Sequence, residues 1–137
     1  MQVYLDTSAL VKLVVREQES SALRRYLRTA PDDVRFSAAI SRTELIRAVG
    51  RGGSFEVVAH ARRVLSRLDM VGLTNRLLEE AGSLGPPDLR TLDAIHLAAA
   101  RTAPALRALV TYDARLARAA EAMGITVATP GRERQVR

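Results

Sequence analysis

The stretch Ala108-Leu109-Val110-Thr111-Tyr112-Asp113 has the clearest strand pattern in the chain, and it ends on an acid that begins a helical pattern. Near the N-terminus the same arrangement occurs in Val3-Tyr4-Leu5, an apolar run that ends at Asp6 and precedes a helical pattern. A short continuous apolar run bounded by polar residues is typical of a strand that is buried on both faces. Both stretches therefore predict strands of a parallel sheet, whose connections are helices.

Strand and helix patterns alternate along the rest of the chain. Further strands are predicted at Val34-Arg35-Phe36, Met70-Val71-Gly72-Leu73 and Ile125-Thr126-Val127. Helical spacing is found over 9–15, 19–27, 40–49, 55–68, 74–84, 91–100 and 113–123. This alternation predicts an α/β domain with a mainly parallel sheet and helices on both faces. Ligands of open sheets bind outside the carboxyl ends of the strands, which is where Asp6 and Asp113 are expected to lie.

The composition is that of one globular domain. With 137 residues and 47% hydrophobic residues, we expect a single domain over 1–130, followed by a basic, frayed tail over 131–137. The chain has no cysteine, which excludes disulfides, thiolate zinc sites and cysteine nucleophiles. No apolar run approaches the roughly 20 residues that span a bilayer, and no signal peptide is recognisable. We therefore expect a cytoplasmic protein without a membrane partner.

The charge of the chain favours a polyanionic partner. The formal net charge is +6, and Lys12 is the only lysine among 21 basic residues. Arginine matches phosphate oxygens in pairs, so the composition favours a partner that carries many negative charges. A solvated surface rich in arginine would have the same composition. Charge alone therefore does not distinguish a surface that binds polyanions from an ordinary solvated one.

Four acids stand at predicted helix starts in apolar or small-residue surroundings: Asp6, Glu44, Asp93 and Asp113. Each one has a structural explanation. Asp6 and Asp113 suit helix N-caps, and Asp93 suits a first helical turn. Ser41-Arg42-Thr43-Glu44 has the spacing of a capping box. For any single acid, capping is the commoner role.

The four acids taken together favour a metal site. Carboxylates that face the interior at a sheet edge are costly unless they are paired or bound to a metal. Several of them at one edge would repel one another, and a divalent cation would relieve that repulsion. Hard oxygen ligands select Mg²⁺ or Mn²⁺. Thr7, Ser8 and Thr111 flank the acids and are candidates to position water or phosphate, or ordinary caps. His96 is interpreted as a packed helix residue.

The motifs in this order resemble PIN-domain ribonucleases, specifically VapC-type toxins of bacterial toxin–antitoxin pairs. The resemblance runs nearly end to end. It rests on Asp6-Thr7-Ser8-Ala9-Leu10, Thr43-Glu44-Leu45-Ile46-Arg47-Ala48, Leu92-Asp93-Ala94-Ile95-His96-Leu97-Ala98 and Leu109-Val110-Thr111-Tyr112-Asp113.

The resemblance implies a fold, a site and partners. The fold would be a three-layer α/β/α domain with a five-stranded parallel sheet of order 3-2-1-4-5. The family's acidic quartet would fall on Asp6, Glu44, Asp93 and Asp113, which would bind one or two Mg²⁺ or Mn²⁺ ions. The family also implies a homodimer and a complex with a VapB-type antitoxin that inhibits the enzyme.

The resulting hypothesis is a metal-dependent endoribonuclease. A metal-activated water would attack the phosphorus and leave 5′-phosphate ends. Asp6 and Asp93 are the first candidates for direct ligands, Asp113 for a second or water-mediated site, and Glu44 for holding metal or orienting water. Arginines near the site, including Arg42, Arg47, Arg90 and Arg115, would contact phosphates. The alternative is a non-catalytic RNA-binding module in which the acids serve only as helix caps.

Overall fold

The computed structural model describes residues 1–132, which form five strands and seven helices. The strands are β1 (Gln2–Leu5), β2 (Val34–Ala38), β3 (Asp69–Val71), β4 (Leu106–Val110) and β5 (Val127–Ala128). The helices are α1 (Thr7–Val14), α2 (Ser20–Arg28), α3 (Ser41–Gly50), α4 (Phe55–Ser66), α5 (Asn75–Gly82), α6 (Thr91–Ala100) and α7 (Ala114–Ala122).

All five strands form one parallel sheet of order β3-β2-β1-β4-β5, which confirms the predicted topology. The central strand β1 pairs with β2 on one side and with β4 on the other. The chain winds outward from β1 to β3, then crosses the sheet to β4. The β1–β4 pair is therefore the topological switch point, where ligands of open α/β sheets bind.

Alternating side chains of the strands divide the interior into two cores. On one face, Tyr4 and Leu109 pack with buried residues of α5, α6 and α7. On the other face, Val3, Leu5 and Val110 pack with buried residues of α1, α2, α3 and α4. Because successive side chains of a strand point to opposite faces, one short strand supplies both cores. The molecule has the predicted three layers, with four helices on one face and three on the other.

The last strand differs from its prediction. Sequence pattern indicated Ile125-Thr126-Val127, whereas β5 comprises Val127–Ala128. The Ile125 amide donates to the carbonyl of Ala120 at 3.0 Å, and Gly124 has a φ of 79°. Ile125 therefore closes the end of α7, and the chain joins the sheet only after that turn. Glycine suits Gly124 because other residues rarely adopt this positive φ.

The predicted capping box at the start of α3 is wrong. The N-cap is Ile40, and no side chain caps the helix. The Ser41 hydroxyl instead lies 2.7 Å from the Ser37 hydroxyl, in the buried interior. Glu44 makes its hydrogen bonds to other helices, as described below. The spacing of a capping box was present, but both side chains have tertiary partners that replace the local ones.

The end of the described chain is attached to α2. Arg132 Nε donates to Glu19 at 2.8 Å, and Arg132 Nη1 donates to the carbonyl of Tyr112 at 3.1 Å. Gly131 has a φ of 88°, and a Cβ there would lie 2.9 Å from the Cβ of Ala22. The predicted frayed tail over 131–137 falls, from 133 onward, outside the described residues. Within residues 1–132, no helix is long and apolar enough to cross a membrane.

Candidate active site

A cavity of about 340 Å³ opens at the carboxyl edge of the sheet, where β1 and β4 end. It is lined by Asp6, Thr7, Ser8, Glu44, Arg90, Thr91, Leu92, Asp93, His96 and Asp113. The four predicted acids are thus brought to one cavity from four different segments. Asp6 precedes α1, Asp113 precedes α7, and Glu44 and Asp93 lie in the first turns of α3 and α6.

Asp6 is the most completely enclosed of the four acids. Its Oδ1 accepts hydrogen bonds from the Ser8 hydroxyl at 2.7 Å and from the Ala9 amide at 3.0 Å. Its Oδ2 accepts from the Thr111 hydroxyl at 2.6 Å. Burial raises the pKa of Asp6 above its ordinary value, although these donors oppose the shift. The carboxyl group is therefore held rigidly, in surroundings where a nearby positive charge would favour its ionised form.

Asp6 and Asp113 also serve as helix caps, as predicted. The Asp6 side chain accepts from the Ala9 amide at the start of α1. The Asp113 side chain accepts from the amides of Arg115 and Leu116 at the start of α7. In both acids Oδ1 makes the capping bonds. Capping therefore uses one oxygen of each carboxylate and leaves the other to accept from a second partner, which is Thr111 for Asp6 and Arg90 for Asp113.

Arg90 connects two of the acids. Its Nε donates to Asp93 Oδ2 at 2.9 Å, and its Nη2 donates to Asp113 Oδ2 at 2.7 Å. The hydrogen bond and charge of Asp93, followed by those of Asp113, raise the pKa of Arg90 above its ordinary value. The guanidinium therefore acts as the positive counter-charge between the starts of α6 and α7.

Glu44 reaches the cavity from α3. Its Oε1 accepts from the Thr7 hydroxyl at 2.8 Å and lies 2.8 Å from His96 Nε2. Burial opposes ionisation of Glu44, but its interaction with His96 Nε2 outweighs the effect of burial, with help from the Thr7 hydroxyl. The net effect lowers the pKa of Glu44 below its ordinary value. Glu44 is accordingly an ionised carboxylate at neutral pH.

Five residues were predicted as substrate or phosphate contacts, and the structure places them in different surroundings: Thr7, Ser8, Thr111, Arg90 and Arg115. The Thr7, Ser8 and Thr111 hydroxyls donate to the acids, and Thr111 is fully buried. Arg90 pairs with two acids. Arg115 is exposed and lines a neighbouring cavity of about 480 Å³ that it shares with Arg90, Asp93 and Arg118. The hydroxyl groups therefore orient carboxylates, and the exposed arginine lies beside the acidic cavity.

Two residues near the acids had no predicted role in chemistry. His96 was interpreted as a packed helix residue, and it is indeed buried, but its Nε2 contacts Glu44. Tyr4 is fully buried in β1, and its hydroxyl lies 2.6 Å from His96 Nδ1. The spacing of His96, three residues after Asp93, placed it on the same helix face. No sequence signal connected Tyr4 with it.

The donor atoms of the cavity suit a hard divalent cation, because four carboxylates line it. Their present positions do not form a finished coordination site. Among residues 1–132, no three Asp, Glu, His or Cys side chains are grouped so that they could hold a metal ion. Arg90 occupies oxygens of Asp93 and Asp113, and His96 occupies one oxygen of Glu44. The acids fit a metal chemically, provided that Arg90 releases the two it bridges.

A larger cavity, with a volume of about 600 Å³, lies elsewhere. Residues of α1, α2 and α4 line it together with the start of β2, and none of the four acids takes part. Its size alone gives it no chemistry comparable with the acidic cavity. The carboxyl edge of the sheet is therefore the candidate active site.

Comparison with known proteins gives a consistent result. The family model for the PIN domain matches residues 3–122. Ribonuclease VapC46 of Mycobacterium tuberculosis (strain ATCC 25618 / H37Rv) is 50% identical over 129 residues, which cover 93% of this chain and 97% of that protein. Ribonuclease VapC35 of the same strain is 44% identical over 135 residues, covering 96% and 99%. Ribonuclease VapC47 of strain CDC 1551 / Oshkosh is 40% identical over 132 residues, covering 94% and 97%.

A solved structure supports the fold. The crystal structure of Mycobacterium tuberculosis VapC20, described as a Sarcin-Ricin loop cleaving toxin, superposes with a TM-score of 0.70. It covers 91% of this chain and 97% of that one, at 17% sequence identity. At this identity the likeness concerns the fold alone.

Proposed function

Because the chain belongs to the PIN-domain family, among its VapC-type members, we propose that it is a ribonuclease toxin that cuts RNA internally with the help of a divalent metal ion. The relatives that bear the name ribonuclease match over nearly their whole length. The proposal for this chain combines that relationship with the chemistry of the acidic cavity.

One observation carries the proposal. Four carboxylates from separate segments line a single cavity at the switch point of the sheet. Helix capping explains Asp6 and Asp113, but it gives no reason for Glu44 to point toward the same cavity. A cluster of negative charge at a ligand-binding edge is the arrangement that Mg²⁺ or Mn²⁺ would require.

In the mechanism that we propose, Asp6 and Asp93 would hold the metal, Asp113 would add a second or water-mediated contact, and Glu44 would hold the metal or orient the attacking water. When bound, the metal supplies a hydroxide near neutral pH and neutralises charge on the phosphate. Ser8 and Thr111 keep Asp6 in one orientation through their hydrogen bonds. Attack by water on phosphorus predicts products with 5′-phosphate and 3′-hydroxyl ends.

Arginines would bind the substrate in this proposal. Arg115 is exposed beside the acidic cavity and can contact an RNA phosphate directly. Arg90 becomes available to a phosphate once it leaves Asp93 and Asp113. The side chains of Thr7, Ser8 and Thr111 act on the acids rather than on the phosphate, because their hydroxyl protons are donated to carboxylates.

The decisive experiment compares the parent protein with Asp93→Asn on RNA that carries an end label. We expect cleavage by the parent in Mg²⁺ or Mn²⁺, its loss in EDTA, and its loss in the variant, because a direct oxygen ligand has been weakened. Asp32→Asn is the matched control, since Asp32 is exposed and lies outside the acidic cavity. Full cleavage by Asp93→Asn, or undiminished cleavage in EDTA, would refute the mechanism.

The family also suggests partners. We propose that a VapB-type antitoxin binds and inhibits this chain, and that the chain forms a homodimer. Co-purification with the product of an adjacent small gene tests the first part, and light scattering of the isolated protein tests the second. A protein that stays monomeric and is not inhibited by that partner would contradict both.

A second candidate is a non-catalytic RNA-binding module. It is favoured by the observed caps, since Asp6 and Asp113 do hold the starts of α1 and α7. This alternative predicts RNA binding that is independent of metal and yields no new 5′-phosphate ends. The cleavage experiment above separates the two functions.

A further inference from the structure

Two buried polar residues beside the acidic cavity have no part in the proposed mechanism. Tyr4 lies in the central strand β1 and is 0% exposed, and His96 lies in α6 and is 4% exposed. Their rings meet edge to face, with centroids 5.9 Å apart, and Phe36 packs against Tyr4 with centroids 5.1 Å apart. Burying a phenol and an imidazole is costly unless their polar atoms are satisfied. In this structure the polar atoms of both rings have hydrogen-bonding partners.

The contacts of the Tyr4 hydroxyl indicate which nitrogen of a neutral His96 would carry the proton. The hydroxyl accepts a hydrogen bond from the Ala38 amide at 3.2 Å. Its own proton needs an acceptor, and His96 Nδ1 lies 2.6 Å away. Burial raises the pKa of Tyr4 far above its ordinary value, so the hydroxyl keeps its proton. If Nδ1 accepts that proton, the proton of the neutral imidazole must lie on Nε2.

The other ring nitrogen of His96, Nε2, faces Glu44. Nε2 lies 2.8 Å from Glu44 Oε1, and the Thr7 hydroxyl donates to the same oxygen at 2.8 Å. Within the described part of the chain, Oε2 receives no hydrogen bond. Glu44 Oε1 is thus held by Thr7 and His96. Glu44 lines the acidic cavity, and its Oε2 remains available to a ligand there.

We propose that Tyr4 and His96 are positioning residues for Glu44. Tyr4 selects the His96 tautomer protonated at Nε2, and that N–H holds Glu44 Oε1 so that Oε2 stays available to the cavity. The inference rests on the proposed function in one respect, since it treats Glu44 as a working carboxylate. A hydrogen-bonded chain of Tyr4, His96 and Glu44 would then run from the core of the sheet to the acidic cavity. Groups that orient a ligand from behind commonly tune metal binding in this way.

The first test is the tautomer itself, which needs no metal and no RNA. Nitrogen-15 labelled histidine gives separate ring signals for the only two histidines, and His60→Gln identifies those of His60. We expect the neutral imidazole of His96 to carry its proton on Nε2 and to have a bare Nδ1. In Tyr4→Phe, which loses only the hydroxyl, this preference should weaken. A protonated Nδ1 in the parent would overturn the proposal.

The second test is Mn²⁺ binding by the isolated protein, measured by calorimetry. Glutamine can place an amide N–H near the position of Nε2, whereas leucine has no donor. We therefore expect His96→Gln to bind Mn²⁺ nearly as well as the parent and His96→Leu to bind it roughly tenfold more weakly. His60→Gln is the matched control, because His60 contacts only the carbonyl of Leu13 among its described polar partners.

The outcomes distinguish this inference from the proposed function. Equal Mn²⁺ affinity in the parent and in folded His96→Leu contradicts the positioning role, as does a His96→Gln variant as weak as His96→Leu. If His96→Leu does not fold, Tyr4→Phe takes its place and should weaken binding in the same direction. If the parent binds no Mn²⁺, the proposed function fails, and the ring signals of His96 alone decide whether Tyr4 selects the tautomer.

Discussion

Arg90 is the side chain that most directly controls the charge of the acidic cavity. It pairs with Asp93 and Asp113 at the place where a metal would have to contact the same oxygens. Its side chain is 51% exposed, so water and salt screen the ion pairs and the guanidinium can leave at little cost. The pairing keeps the two acids neutralised in the absence of a cation, and it sets up a direct competition with one.

The competition predicts the effect of Arg90→Gln on metal binding. Without the guanidinium, the negative potential around Asp93 and Asp113 is stronger, so we expect Mn²⁺ to bind severalfold more tightly than to the parent. Calorimetry on the isolated protein measures this. Arg118→Gln is the control, because Arg118 is exposed on α7 and makes no ion pair with any described residue. Unchanged affinity in Arg90→Gln would show that Arg90 does not compete.

Thr111 gives a second prediction for a single side chain. It is fully buried, donates to Asp6 at 2.6 Å and accepts from the Asp113 amide at 3.0 Å. Thr111→Val keeps the shape but removes both bonds, so we expect the free energy of unfolding to fall by roughly 1–3 kcal/mol. Urea denaturation measures the change. Thr102→Val, at an exposed residue whose hydroxyl donates to the nearby carbonyl of Ala99, should alter it by less than about 0.5 kcal/mol. Similar effects in the two variants would contradict the buried network.

Among the helices, α1 and α2 are joined by an ionic cluster rather than by apolar contact alone. Lys12 donates to Glu19 at 2.8 Å, and Arg132 contacts the other oxygen of Glu19 at 2.8 Å. Both cations also lie over the ring of Tyr112, which connects the cluster to the end of β4. The only lysine of the chain is therefore buried in an ion pair that fastens the end of the described chain to these helices.

This cluster predicts a loss of stability in acid. The hydrogen bond from Lys12, followed by that from Arg132, lowers the pKa of Glu19 from 4.5 to about 2. A carboxylate whose pKa is lower in the folded state stabilises the fold above the unfolded pKa, and that contribution disappears as pH falls. We expect the stability difference between the parent and Glu19→Gln to shrink between about pH 4.5 and pH 2. Thermal unfolding across this range measures it, and a pH-independent difference would contradict the assignment.

The start of α3 shows why a helix boundary is hard to assign locally. Ser41 and Glu44 have the spacing of a capping box, yet Ser41 bonds to Ser37 and Glu44 bonds to Thr7 and His96. A capping box gains two local bonds at the cost of turning both side chains toward their own helix. Here the neighbouring elements offer buried partners instead, and these partners come from β2, α1 and α6.

The whole chain has a formal net charge of +6, although four acids line its candidate active site. The acids can attract a cation only locally, while arginines elsewhere attract phosphate over a longer range. In the proposed function, the acids would hold the metal while exposed arginines such as Arg115, beside the acidic cavity, would bind the RNA backbone.

Binding of RNA should accordingly depend on salt. We use Asp93→Asn so that the substrate remains uncut, and expect the logarithm of the affinity to fall linearly with the logarithm of salt concentration. Fluorescence anisotropy between about 50 and 200 mM salt measures the slope. Arg115→Gln in the same background removes one phosphate contact, so the magnitude of the slope should fall by roughly 0.7, the value per contact for a single strand. Affinity that does not vary with salt would contradict phosphate binding by arginines.

Much of the architecture was predictable because it depends on patterns within about ten residues. Alternating apolar runs and helical spacing predicted the five strands and seven helices, and the resemblance to the PIN family implied their order, which the sheet confirms. The positions of Asp6 and Asp113 after their strands followed from the same local patterns. Boundaries were less accurate where a turn competed with a strand, as at Ile125.

The partners of the acids could not be predicted in this way. Thr7 and Glu44 are 37 residues apart, His96 and Glu44 are 52 apart, and Thr111 and Asp6 are 105 apart. No periodicity connects positions at such separations, because they meet only after the sheet has formed and its helices have packed. Local sequence could therefore specify which side chains stand at the ends of strands and helices. The bridge from Arg90 to two acids, and the contacts of Tyr4 and His96 that lead to a third, arise only when distant elements pack together.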